Sequence, residues 1–321
     1  MVEVMKKPSV LEIWVGLITI YIVWGSTYLA IRFAIETIPP FLMASARFTI
    51  AGLVLYIWRR LAGDPKPSRR EWISAGIVGL LLLMVGNGGV TWAEQTVNSG
   101  IVALLIGTVP LWVVLVDALR PGGRWPGWQG LFGVLLGVLG IFILVNPWGS
   151  GTGLKLDLLG AAVVLLAAAS WAAGSVYSRS APLPKSPLMG TSLEMLVGGG
   201  ALLILGTITG EWSQVNWVSI STKSILGLLY LIVFGSLIGY ATYTWLLRVA
   251  PTSLVATYAY VNPLIAILLG SLLAQEPVTS QIVLAAAVII GAVFLINSAH
   301  TTQVKMEPAY VGVEQESDGR I

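Results

Sequence analysis

The sequence predicts an all-α membrane protein: ten transmembrane helices in two inverted five-helix repeats, with the N- and C-termini cytoplasmic. Composition is the first ground. Of 321 residues, 56% are hydrophobic and 10% charged, and the mean hydropathy is +0.85. A water-soluble domain carries about a quarter charged residues, so this surface is built for lipid. The second ground is ten apolar runs, each near the ~20 residues that span ~30 Å of hydrocarbon. The third is a duplication. At a gapless offset of 153, Gly86 falls on Gly239, Thr91-Trp92 on Thr244-Trp245, Val102-Ala103 on Val255-Ala256 and Pro110-Leu111 on Pro263-Leu264. A shift of two residues carries the match on to Gly140 with Gly291 and Asn146 with Asn297.

Taken in order, Lys6 and Lys7 precede an apolar run too long for a cleaved signal, so the first helix, 12–35, is retained. The others are expected at 40–61, 71–93, 99–119, 126–146, 156–179, 187–209, 224–247, 252–273 and 278–298. Turn residues separate them, among them Pro39-Pro40, Gly63-Asp64-Pro65, Pro121-Gly122-Gly123, Asn146 to Gly153, Pro182 to Pro187 and Glu276-Pro277. The repeats are therefore 12–146 and 156–298. The polar segment 299–321 is expected to be a disordered cytoplasmic tail.

Charge orients the bundle. With the N-terminus inside, fourteen of the eighteen basic residues fall on the cytoplasmic side, including Arg59, Arg60, Arg69, Arg70, Arg120, Arg124, Arg179, Lys185 and Arg248. Five helices per repeat make the two copies enter the membrane in opposite senses. The loops agree: Arg120 and Arg124 follow the fourth helix, whereas Gln275 and Glu276 follow the ninth. Inverted repeats of this kind place a binding site near mid-depth at their interface.

Three groups of residues are candidates for function. Pro110 and Pro263 each lie eleven residues into their helices, ~17 Å deep. Each removes a backbone hydrogen bond, freeing the carbonyls of Ile106 and Ala259; either could be a packing kink, since proline is common in membrane helices, but two at equivalent positions favour a hinge beside a pathway. At similar depth lie Trp24, Tyr28, Asn87, Trp92, Trp171, Tyr240, Tyr243, Tyr258 and Asn262. Aromatic walls with a few polar handles suit an organic solute with apolar parts. Arg47 and Glu194 are ionisable groups inside helices, which mark function by default, and Glu94 stands at the outer end of the third helix. Arg47 is within reach of Glu94, and Glu194 of Arg179 or Arg248. Coupling or gating and a structural ion pair are even readings of these charges. Gly130, Gly133, Gly137 and Gly140 share one face of the fifth helix and are read as packing, so a monomer or weak homodimer is expected.

Absences narrow the class. The chain has no cysteine and its one histidine, His300, is in the tail, so no metal site, cofactor or histidine-based catalysis is expected in the membrane. There is no phosphate-binding GxxxxGK[ST] loop and no basic run for nucleic acid.

The segments VWGSTYLAIRFAI and PPFLMASARFTIAG resemble the start of an EamA-type repeat of the drug/metabolite transporter superfamily. TVNSGIVALLIGTVPLWVVL and APTSLVATYAYVNPLIAILLGSLLAQEPVTSQ resemble the closing parts of its two copies, and SWAAGSVYSRSAPLP the opening of the second. The likeness covers roughly residues 12 to 298, and departs at RPGGRWPGWQ, where the first copy often has an acidic residue. It implies a multi-pass inner-membrane protein with a cavity lined by helices 1, 3, 4, 6, 8 and 9. It also implies export of amino acids, other metabolites or drugs, or movement of nucleotide sugars and sugar phosphates. The expected function is a secondary transporter, an exporter of small organic solutes, working by alternating access and not as an enzyme. Proton antiport through Glu194 or Glu94 and uncoupled facilitation both stay open. A channel, or a polytopic enzyme acting on lipid, ranks below.

Overall fold

The computed structural model describes residues 8–119, 127–145, 157–250, 252–255 and 257–306, and among these it is all-helical. Seven helices are long and apolar enough to cross a membrane: α1 (Val10–Ala34), α2 (Pro40–Leu61), α3 (Arg69–Ala93), α4 (Ser99–Leu119), α6 (Leu158–Ser178), α7 (Pro187–Ile208) and α8 (Thr222–Val249). Three further helices have shorter apolar stretches: α5 (Trp128–Val145), α9 (Tyr258–Ala274) and α10 (Ser280–Met306, apolar over Ser280–Leu295). The connections around Pro121 and Asn146, with Arg120 and Arg124, lie outside the described residues. The last helix runs to Met306, beyond the boundary at 299 expected for the tail, because the apolar pattern of α10 carries a helical turn or two of polar residues with it. Residues 307–321 lie outside the described set.

Local chemistry sets the ends. Ser9 and Ser68 form capping boxes with Glu12 and Glu71 at the starts of α1 and α3. Pro40 and Pro187 occupy the first turns of α2 and α7, where the missing N–H costs nothing. Two helix starts borrow a carboxylate from elsewhere in the chain. Glu211 accepts from the backbone N–H groups of Phe41 and Leu42 at 3.1 and 2.9 Å, and Glu276 from those of Ser99 and Gly100 at 2.9 and 3.2 Å.

The outside of the bundle is apolar, and the inside holds polar groups within an apolar core. Leu135, Leu139, Leu166, Ile204, Leu226 and Leu272 are exposed, while Thr27, Arg47, Thr91, Glu94, Thr191, Glu194, Ser236 and Asn262 are buried. An exposed apolar skin of this extent suits hydrocarbon rather than water. Packing crosses between the two parts of the chain: α2 lies against α7, α5 against α10, α1 against α9 and α8, and α6 against α3 and α4.

Four helices around the interior are irregular. The ladder widens to π-helix over Leu80–Asn87 in α3 and Leu231–Tyr240 in α8. At the offset of the duplication Asn87 falls on Tyr240, so the two widenings end at equivalent residues. Such segments gather at functional sites. Helix α4 is broken at Gly107 and Thr108, between Ser99–Ile106 and Val109–Leu119. Pro110 thus sits in the first turn of a new segment rather than mid-helix. In the second copy the break falls earlier, between Thr252–Val255 and Tyr258–Ala274, and Pro263 lies inside a continuous helix. The break in α4 packs against α9: a Cβ on Gly107 would come 3.3 Å from the Ala259 carbonyl oxygen and 3.3 Å from Pro263.

Candidate functional site

Two neighbouring spaces occupy the middle of the bundle. The inner one is a chamber bounded by Trp24, Thr27, Tyr28 and Ile31 of α1, Arg47 and Phe48 of α2, and Gly86, Asn87 and Val90 of α3. Ile106 of α4, Ala167 and Trp171 of α6, Gly235 and Tyr240 of α8 and Tyr258 of α9 complete it. Its free volume is about 60 Å³, room for a few waters and no organic solute until the walls part. The outer space is a vestibule of about 490 Å³ edged by Arg179, Lys185 and Arg248, with Glu194, Thr191, Tyr243 and Thr244 on its walls. Tyr240 borders both.

A septum of five rings divides them. Trp24 lies 4.8 Å from Tyr243, 5.3 Å from Tyr258 and 5.8 Å from Trp171 between ring centres. Trp171 lies 6.3 Å from Tyr240 and 6.1 Å from Tyr243. Most of these pairs are edge-on or tilted, the favoured arrangements for aromatic packing. Tyr240 donates to a carboxylate oxygen of Glu194 at 2.7 Å, pinning the septum to α7.

Arg47 is the charge within the chamber. It is 4% exposed; its Nε donates to Ser236 at 2.9 Å and its Nη1 to Asn87 Oδ1 at 3.3 Å, and it lies 4.6 Å from the centre of the Phe48 ring. Ser236 and Asn87 belong to the two π-helical segments, so each widening hands one ligand to the same guanidinium. The expected pairing of Arg47 with Glu94 is not made. Glu94 is fully buried, and its backbone carbonyl, not its carboxylate, takes the Arg32 guanidinium. Glu194 does not bond Arg179 or Arg248 either, since Arg248 donates to the carbonyls of Lys185 and Pro184 at 2.7 and 3.3 Å.

Of the aromatic and polar residues singled out by depth, Trp24, Tyr28, Asn87, Trp171, Tyr240 and Tyr258 stand on the chamber, and Tyr243 on the vestibule side. Trp92 does not: it is half-buried against the main core, because five residues of regular helix set it about 140° round from Asn87. Asn262 is buried outside the chamber and donates to the carbonyls of Tyr21 and Tyr258, at 3.1 and 3.3 Å, stapling α9 to α1. Both hinge prolines are buried. Sequence reasoning misses Phe48 on the chamber wall and Ser236, which holds Arg47; a phenylalanine and a serine within apolar runs carry no signal of either role.

The two ends of the bundle differ. At the end away from the basic residues, contacts tie the first part of the chain to the second. Lys223 meets Glu36 at 2.5 Å, the Ser221 N–H donates to Thr37 at 3.1 Å, and the Ser224 hydroxyl to the Phe33 carbonyl at 2.8 Å. Thr96 donates to Asp157 at 2.6 Å, which holds that carboxyl below the usual range, and the Glu211 and Glu276 caps lie here too. At the basic end the vestibule is open. There Arg59 grips Asp64 at 2.9 and 2.7 Å within one connection and lowers its carboxyl below the ordinary carboxylate range.

Known proteins resemble this chain in sequence and fold. An inner-membrane transporter of Escherichia coli K12, YedA, itself uncharacterised, is 39% identical over 295 residues, covering 91% of this chain and 93% of its own. A WAT1-related chloroplastic protein of Arabidopsis thaliana is 28% identical, over 88% of this chain and 69% of its own length. A solved crystal structure at 20% identity covers 93% of this chain and all of its own, with a TM-score of 0.63, a likeness of fold. The model of the EamA-like transporter family matches twice, over residues 12–146 and 158–298. The chain belongs to the EamA-like transporter family.

Proposed function

We propose that the chain is a secondary transporter of the inner membrane that exports small organic solutes bearing an acidic group, amino acids being the type case. In this reading all ten helices cross the membrane as two inverted five-helix repeats, with the basic end and both termini cytoplasmic. One observation carries it. A buried guanidinium faces a chamber of aromatic rings, sealed at one end by bonds between the two parts of the chain and screened by rings from an open vestibule at the other. The aromatic walls take the apolar part of a solute, and Arg47 its carboxylate. A site closed at one end and lined by interrupted helices is suited to alternating access. In this reading the open vestibule faces the cytoplasm. Opening the far end requires α1, α3 and α4 to part from α8 and α9, flexing at Gly107 and Thr257.

Counterflow in proteoliposomes tests the solute class without assuming any driving force. Preloaded amino acids with large apolar side chains are expected to accelerate entry of labelled solute, and their amides or decarboxylated amines are not. Equal exchange of acids and amines would remove Arg47 from the assignment. A steady conductance without exchange would favour a channel.

A further inference from the structure

We propose that Glu94 is a proton-binding site whose protonation allows the far end of the bundle to close. The inference deepens the transport reading above and rests on it. Glu94 caps the end of α3 and is 0% exposed. Neither of its carboxylate oxygens meets a hydrogen-bond partner among the described residues. Three other carboxylates, two of them buried, differ. Glu194 accepts from Tyr240 and borders the vestibule, Glu211 takes two backbone N–H groups, and Glu276 takes two N–H groups and the Ser99 hydroxyl. A carboxylate ion removed from water with no donor costs several kcal/mol; the neutral acid costs far less.

The charges around Glu94 do not replace those missing bonds. From α1 come Arg32, spent on the backbone carbonyl of Glu94 itself, and the phenol of Tyr28. From α2 comes Arg47, engaged by Ser236 and Asn87. From the connection between α9 and α10 comes Glu276, a like charge. At the start of α6, Asp157 is taken by Thr96. The closed end therefore accommodates the acid and expels the ion. When that end opens, water reaches the carboxyl and the proton passes to it; when it shuts, a proton from the same water returns to a carboxylate oxygen. No bond other than O–H forms or breaks. Glu194, already hydrogen-bonded and beside Arg248, needs no proton in this cycle and serves as the latch of the septum.

Spin labels on cysteines replacing Gln95 and Val218, both exposed at the far end and in different halves of the chain, read the gap directly. The chain has no native cysteine to compete. In the parent protein the closed-to-open ratio is expected to fall as pH rises, by up to about tenfold per pH unit for one linked proton. Glu94→Gln, a permanent neutral mimic, is expected to stay closed at every pH, and Glu94→Asp to keep the pH dependence with a moved midpoint. A ratio indifferent to pH in the parent protein, or a dependence that survives in Glu94→Gln, overturns the proposal. If Glu94→Gln does not fold, a pH dependence in Glu94→Asp unmoved from the parent's overturns it as well. Counterflow on the same samples separates the two readings. Exchange that persists without the pH effect leaves the transporter standing and removes Glu94 from it; absence of exchange for every solute offered removes both.

Discussion

Replacing Arg47 by methionine is expected to lower transport of acidic solutes by about a hundredfold while leaving the protein folded. Removing a buried, hydrogen-bonded cation from its anionic partner costs about 3 kcal/mol of binding, and each 1.4 kcal/mol is a factor of ten. Stability need not fall with it. A buried charge is costly to hold, and an unbranched apolar side chain of similar length fills the same space beside Phe48. Arg47→Lys keeps the charge but not the planar fork that spans Ser236 and Asn87, so it recovers only part of the loss. Thermal unfolding and counterflow on the same preparations check the split. Loss of both together would make Arg47 a structural ion, and loss of neither would move the solute out of the chamber.

Gly79→Val is expected to have the largest effect on stability, at least about 3 kcal/mol, and to abolish assembly of the septum. A Cβ at Gly79 would land on the backbone carbonyl oxygen of Glu194, with the carbonyl carbon 3.0 Å and the Cα 3.1 Å away. The partner surface is as tight, since a Cβ on Gly198 would come 2.9 Å from the Gly79 carbonyl oxygen. No side chain is available there to swing aside, so α3 and α7 must separate. The displaced residue is Glu194, which holds Tyr240, so the damage reaches the septum between chamber and vestibule. Size-exclusion profiles in detergent and thermal melting read this out. A normal melt with intact Tyr240 contacts would mean that α3 and α7 do not meet at this point in the membrane.

How far the sequence speaks depends on what kind of fact is asked of it. The ends of α2 and α7 follow from Pro40 and Pro187 and the length of the apolar run, and lie within a residue of expectation. Position along a helix is obtained by counting, and six residues grouped that way, Trp24, Tyr28, Asn87, Trp171, Tyr240 and Tyr258, share one chamber. Azimuth is not. An apolar helix in lipid carries no polar face to orient it, and the two π-helical segments add a turn error that no residue type announces. Trp92 and Asn262 are misplaced by azimuth. The matched prolines suggested matched kinks, yet Gly107 breaks α4 ahead of Pro110 while Pro263 rides inside α9. The partners of Arg47 and Glu94 depend on side-chain direction across three helices, and opposite charge at similar depth was a poor guide to it.

The central claim is that the far end must open for solute to pass. Cysteines replacing Thr37 and Ser221 test it most directly, because the Ser221 N–H donates to the Thr37 side chain at 3.1 Å and the background chain has no cysteine. Oxidation should cross-link the first helical hairpin to the start of α8 and stop counterflow, and reductant should restore it. Counterflow that continues at full rate through the cross-linked protein would contradict the account.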